Sequence, residues 1–226
     1  MNKIQQDVKF DFARRERIGI AEAVLCAGKS VAQIDHIIEL SESRKTPLLM
    51  TRLSPRVFAR LDDVHRGRID YDPLSRTGIF GPVPVPAGPA QVAVVSAGTS
   101  DAAVVREAVR TLAFHGVAAE VMMDVGVAGL WRVLERRAEL ESFRAVIVVA
   151  GMDGALFSVI GGLVGGVVIA VPTATGYGAA RGGSTALHSA LTSCAPGLVA
   201  VNIGNGYGAA CAALRILRAD AVAAHA

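Results

Sequence analysis

Three aspartates and a cysteine are the side chains of this 226-residue chain best placed to do chemistry, because each lies in or beside a run of glycine and small polar residues. Asp101 closes Ser96-Ala-Gly-Thr-Ser-Asp101, Asp124 opens Asp124-Val-Gly126, and Asp153 sits within Ala150-Gly-Met-Asp-Gly154. Two more loops have the same character, Pro172-Thr-Ala-Thr-Gly-Tyr-Gly178 and Asn202-Ile-Gly-Asn-Gly-Tyr-Gly208. Small residues let backbone amides approach a phosphate, and a helix starting just after such a loop favours an anion. A carboxylate in that setting can act as acid or base. Structural duties compete for two of them: Asp101 could cap a helix and Asp124 could close an Asx turn. Asp153, between Gly151 and Gly154 in an apolar setting, has less structural reason to be there. Cys194, in Ser193-Cys-Ala-Pro196, is either a small packing residue or a nucleophile whose thiolate is the reactive form. Spacing alone favours packing, as it does for Cys26 and Cys211, and His115 and His188 read as helix residues that are solvated or satisfied in the core.

The elements that must carry these loops follow from the pattern around them. QVAVVSAGTSD passes from buried-strand residues to small polar ones, and DAAVVREAVRTLAFHG continues as an amphipathic helix closed by Gly116. The same order recurs in AAEVMMDVGVAG with GLWRVLERRAEL, in AVIVVAGMDGA with LFSVIGGLVG, in VVIAVPTATGYG with STALHSALTSC, and in LVAVNIG with AACAALRILR. Strands rich in Val, Ile and Ala that alternate with helices predict an α/β domain with a parallel sheet covered on both faces. Ligands of such sheets bind beyond the carboxyl ends of the strands, where every one of these loops falls.

Ahead of it, GPVPVPAGP places four prolines within nine residues, a semi-rigid connector. The predicted division is a small α/β domain over 1–80, a linker over 81–90 and a catalytic domain over 91–226. In the first domain, residues 13–28 look helical up to Gly28, Ser30 caps a second helix, Pro47 to Thr51 forms a strand, and SPRVFARLDDV forms a helix with Ser54 as cap. From Arg68 to Pro89 the periodicity fails. Arg14, Arg15 and Arg17 read as a solvated basic face.

Composition excludes several classes. A formal charge of +3 without a continuous basic stripe argues against a nucleic-acid partner. Three cysteines without paired spacing fit a reducing compartment and show no zinc motif. The amino terminus carries charges where a signal peptide needs an apolar core, so a cytoplasmic location is expected. The apolar run Ala155 to Val171 is Gly-rich, short for a bilayer and followed by proline, which predicts buried helix and strand and no membrane partner.

VVSAGTSDAAVVREA, DVGVAGL, VVAGMDGALFSVIGGL, VIAVPTATGYGA and SCAPGLVAVNIGNGYGAA together resemble the LarB family of nickel-pincer cofactor biosynthesis, as do RRERIGIAEAVLCAGK and TRLSP near the amino terminus. That family has a carboxylase domain similar to the PurE mutases and carboxylases of purine synthesis. The resemblance implies a PurE-like, three-layer, Rossmann-like parallel sheet. It also implies carboxylation of the pyridinium ring of nicotinic acid adenine dinucleotide at C5, with CO2 or bicarbonate, and hydrolysis of its phosphoanhydride to pyridinium-3,5-biscarboxylic acid mononucleotide and AMP. By the same resemblance Cys194 is the nucleophile and Asp153 the acid/base residue. Gly98, Thr99, Ser100 and Asp101 match the phosphate and ribose loop. Thr173, Gly176, Tyr177 and Gly178 complete the pocket, with Asp124, Gly151, Met152, Asn202 and Asn205 as further ligand contacts. A magnesium ion is implied, without assigned ligands and with no organic cofactor, and so is a homo-octamer with sites at subunit interfaces.

Three positions depart from the family's pattern: Gly204 stands where an Asp is usual, Leu130-Trp131-Arg132 stands where Leu-His-Arg is usual, and Asp153 replaces a Glu. Two alternatives stay open. One is a PurE-like enzyme acting on an aminoimidazole ribonucleotide, which needs no thiol but usually carries a Gly-Gly-Ala-Ala-His loop where this chain has Gly151-Met-Asp-Gly-Ala155. The other is a non-catalytic nucleotide-binding regulator.

Overall fold

The computed structural model describes residues 8–223, so the first seven residues of the charged amino-terminal segment and the last three of the expected catalytic domain lie outside it. The chain divides into two units, one ending at Val85 and the other beginning at Pro86.

In the first unit Ser30 starts the main helix by a reciprocal cap. Its hydroxyl accepts the Gln33 N–H at 3.2 Å while its own N–H donates to Gln33 Oε1 at 2.9 Å. The elements are α1 (Arg14–Ile18), β1 (Ala23–Leu25), α2 (Val31–Ser43), β2 (Leu48–Thr51), α3 (Pro55–Phe58), α4 (Asp63–Arg66), β3 (Ile69–Asp72) and β4 (Thr77–Phe80). The sheet runs β1-β2-β4-β3, with β1 parallel to β2 and the other pairs antiparallel. Ile34, Ile37 and Ile38 of α2 pack on Val24, Leu48 and Met50.

Three expectations for this unit are corrected. The helix over 13–28 stops at Ile18, where Gly19 turns left-handed at φ 75°, and the apolar residues beyond it supply β1. SPRVFARLDDV is two helical turns and not one helix, because the Asp62 carboxylate accepts the Val64 N–H at 2.9 Å and caps a second start. The stretch after Arg68 holds the β3–β4 hairpin. Its periodicity is hidden because polar Asp72, Ser75 and Thr77 are buried and bond one another at the turn.

The second unit contains β5 (Val92–Ser96), α5 (Ala102–Phe114), β6 (Ala119–Met122), α6 (Leu130–Glu135), α7 (Arg137–Leu140), β7 (Ala145–Ala150), α8 (Ala155–Gly161), β8 (Val167–Pro172), α9 (Ser184–Leu191), β9 (Val199–Ala200) and α10 (Gly206–Ala223). Every strand pair is parallel, in the order β6-β5-β7-β8-β9. Alternate strand residues face opposite sides. Val95, Val146, Val148 and Ala170 pack against Leu156, Phe157, Ile160 and Ala186 of α8 and α9. On the other face Val94, Ile147, Val149 and Ile169 pack against Val105 and Leu112 of α5 and Ala209 and Ala213 of α10. The result is the expected three-layer α/β arrangement. The chain leaves β5 toward β6 on one side and returns through β7 on the other, so the order reverses between β5 and β7 and the loops there part to leave a crevice. Among the described residues no helix is long and apolar enough to cross a membrane.

Candidate active site

A cavity of about 650 Å³ opens at that reversal, between the loops after β5, β7 and β8 and the segment leading into α6. Gly98, Ser100 and Asp101 line it from the first loop, Gly151, Met152 and Asp153 from the second, and Thr175, Ala179 and Ala180 from the third. Backbone contact holds the loops together. The Met152 N–H donates to the Thr175 carbonyl at 2.7 Å, with Met152 held left-handed at φ 52°. A Cβ on Gly151 would come within 2.2 Å of that carbonyl oxygen and 2.8 Å of Thr173 Oγ1, so only glycine lets the β7 and β8 loops approach this closely.

Asp101 is the bracket of the site. It is only 3% exposed, and its carboxylate accepts Thr173 Oγ1–H at 2.7 Å, Thr175 Oγ1–H at 3.1 Å and the Gly98 N–H at 3.3 Å. Holding three donors, Asp101 shapes the cavity and ties the β5 loop to the β8 loop. Thr173 is buried behind the wall as one of those donors, and Thr99 lies in the single 3₁₀ turn that joins Gly98 to α5.

Asp153 differs. It is exposed on the cavity wall, and one oxygen accepts the Ala155 N–H at 3.2 Å at the start of α8. Its other oxygen takes no protein partner among the described residues, which leaves it free to move a proton. Asp124, left-handed at φ 59°, pairs with Arg132 Nη1 at 2.9 Å. It is Arg132, and not Asp124, that lines the cavity, so Asp124 orients a cation toward the site. The sequence reading missed Arg132 as a site residue and chose Thr173 over Thr175. An arginine in the first turn of a helix entered from a strand-end glycine loop is the signal that would have found the former.

The remaining candidates lie elsewhere. Gly176, Tyr177 and Gly178 link Thr175 to Ala179 at the rim. Asn202 Oδ1 accepts its neighbour Ile203 N–H, and Asn205 Oδ1 accepts the Gly208 N–H, both at 2.8 Å, so Asn205 caps α10. Cys194 is exposed in the connection from α9 to β9, two residues beyond the Thr192 cap of α9. That connection lies against the middle and the end of α8: Ser193 Oγ is 2.7 Å from Ser158 Oγ, and a Cβ on Gly161 would lie 2.7 Å from Ala195 Cβ. The cavity meets the first turn of α8, at Ala155 and Leu156. Cys194 is not among the residues that line the cavity.

Mg²⁺ is commonly held by one or two carboxylates together with substrate phosphates. Among the described residues no group of three or more His, Cys, Asp or Glu side chains is arranged to hold a metal ion. Asp153, with one oxygen open on the cavity wall, is the carboxylate placed to share such an ion with substrate phosphates.

A parallel sheet of this order with a carboxylate and a guanidinium in a glycine-walled crevice agrees with the match of residues 91–225 to the AIR carboxylase family model, and the chain belongs to that family. Residues 2–81 match the LarB/PurE-like N-terminal domain, which is the pairing that the likeness to LarB implies. Uncharacterized protein MJ0165 of Methanocaldococcus jannaschii is 37% identical over 218 residues, covering 92% of this chain and 82% of that one. Among solved structures, Treponema denticola PurE superposes with a TM-score of 0.44 at 16% identity, covering 58% of this chain and 90% of its own.

Proposed function

We propose that the protein carboxylates nicotinic acid adenine dinucleotide at pyridinium C5 and hydrolyses its phosphoanhydride, yielding pyridinium-3,5-biscarboxylic acid mononucleotide and AMP. The observation that carries this reading is the crevice itself, with Arg132 for anionic groups and one uncommitted carboxylate oxygen on Asp153. Charge-assisted contacts from an arginine suit the phosphates and the ring carboxylate.

The pyridinium ring is too electron-poor for C5 to attack CO2. Addition of the Cys194 thiolate at C6 forms a C–S bond and moves an electron pair into the ring, which makes C5 an enamine carbon. C5 then bonds to CO2. Asp153 removes the C5 proton, the electrons of that C–H bond restore the aromatic ring, and the C–S bond breaks to return the thiolate. Water cleaves the phosphoanhydride and leaves AMP. Asp153 is one methylene shorter than glutamate, so the ring must sit close to the first turn of α8 for direct transfer.

A second reading, carboxylation of an aminoimidazole ribonucleotide, is favoured by one observation: Cys194 does not line the cavity of its own chain, and that chemistry needs no thiol. Purified protein supplied with bicarbonate and magnesium, offered each substrate in turn and followed by mass spectrometry, separates the two. Product from the dinucleotide with wild type and none with Cys194→Ala is the expected result. Turnover of the ribonucleotide alone, unaffected by Cys194→Ala, would establish the second reading instead.

A further inference from the structure

We infer that Arg132 is the residue by which the cavity takes a pyridine ring as its acid and rejects the amide. The inference rests on the proposed carboxylation of a nicotinic acid nucleotide and names the contact that chooses that substrate. Among the described residues that line the cavity, Arg132 is the one cation, and its neighbours there, Val127 and Ala128, are apolar. A carboxylate brought against that wall needs the guanidinium as its partner. Asp153 lines the same cavity, so the ring whose C5 proton it removes must enter there. The carboxylate on C3 enters with the ring, whereas the phosphates follow a ribose away. Arg132 comes from α6, which follows β6, and Asp153 from the loop after β7, with β5 between those two strands. Two strand spacings are about 10 Å, room for one flat ring with its C3 carboxylate toward Arg132 and its C5–H toward Asp153. Charge then decides between acid and amide. A pyridinium carboxylate carries no net charge and offers two oxygens to a guanidinium fork. A pyridinium carboxamide keeps a full positive charge, which Arg132 repels.

The guanidinium is aimed by two residues. Asp124 accepts Nη1–H at 2.9 Å, and its side chain is 53% exposed against 30% for Arg132, so the counter-ion holds the arginine from the more open side. On Gly129 a Cβ would come within 2.7 Å of Arg132 Nε and 2.9 Å of Nη2. Glycine there lets the side chain fold back over the start of its own helix to reach the cavity, and its φ of −119° is one that alanine also adopts. Asp124 and Gly129 are therefore positioning residues: they set where the cation points, and Arg132 makes the contact.

Nicotinic acid mononucleotide and nicotinamide mononucleotide test this without turnover. They differ only in the ring substituent and contain no anhydride to cleave, so contacts to ribose and phosphate cancel in the ratio of their dissociation constants. By calorimetry without bicarbonate the wild type should favour the acid by about 10- to 100-fold, the worth of a hydrogen bond between charged groups. Arg132→Gln should bring the two affinities together, Arg132→Lys should keep part of the preference, and Gly129→Ala, which leaves the cation in place but turns it, should lower the preference while the circular dichroism spectrum stays that of the wild type. Binding of neither ligand by the folded wild type, equal affinities for the two, or a loss in Arg132→Gln that falls on both alike would overturn the inference, and the last would put the guanidinium on the phosphate. The reaction itself is read separately. The predicted preference with no carboxylated product from the dinucleotide would remove the proposed reaction and keep the acid site. Carboxylated product with a preference that Arg132→Gln leaves intact would keep the reaction and overturn the inference.

Discussion

Asp153 and Asp101 are both carboxylates on one cavity wall, and their hydrogen bonds give them opposite duties. Asp101 serves three donors that tie the β5 loop to the β8 loop, whereas Asp153 keeps one oxygen open. Asp153→Asn preserves the acceptor that holds the Ala155 N–H and removes only the basic oxygen. Turnover should fall by about 10²- to 10⁴-fold while KM and melting temperature stay near wild type; steady-state kinetics with a parallel melt would show it, and a change in KM alone would assign Asp153 to binding. Cys26 shows the contrast between a packed thiol and an exposed one. Burial at the end of β1 raises its pKa from 9.0 to about 12, only partly offset by Lys29. The folded thiol therefore stays protonated at pH 9–10 while the unfolded one ionises, so this group withdraws stability as pH climbs from 9 toward 12. Iodoacetamide at pH 9 should leave Cys26 unmodified in the native protein and modify it in denaturant, read by peptide mass mapping. Modification of the native protein would contradict its burial.

The β7 and β8 loops form the element on which the site depends, and Gly151 is their closest approach. Gly151→Ala would force the loops apart, break the Met152–Thr175 bond and loosen the bracket on Asp101. Overpacking of this kind costs about 1–3 kcal/mol, so the fold should survive with a lowered melting temperature while activity is lost. Activity retained at the lower melting temperature would show that the approach serves packing only. At this scale most of the site was legible, since a strand followed by small residues announces a loop at the carboxyl edge, and Gly98, Asp101, Gly151 and Asp153 were found that way. Arg132 was not, because it sits on a helix and reaches the cavity only by folding back over Gly129. The β3–β4 hairpin was hidden by the buried polar cluster at its turn. The separation of Cys194 from the other candidates was latent in the chain order, since Cys194 comes before its strand and the rest come after theirs.

At the scale of the whole molecule, a family with a LarB/PurE-like N-terminal domain ahead of an AIR carboxylase domain joins a carboxylation theme to a crevice with both cationic and basic groups. Three positions, Trp131, Asp153 and Gly204, differ from the pattern of the family it resembles. None of them disturbs the sheet: Trp131 is exposed on α6, Asp153 keeps a carboxylate on the wall, and Gly204 takes φ 63° while its N–H donates to the Pro172 carbonyl at 2.7 Å. The central claim is that one carboxyl group is added for each anhydride cleaved. The most direct test supplies ¹³C-bicarbonate with nicotinic acid adenine dinucleotide and counts label in the mononucleotide against AMP released. Equal amounts of singly labelled dicarboxylate and AMP are the result predicted here. AMP released with an unlabelled mononucleotide would reveal a simple hydrolase and contradict it.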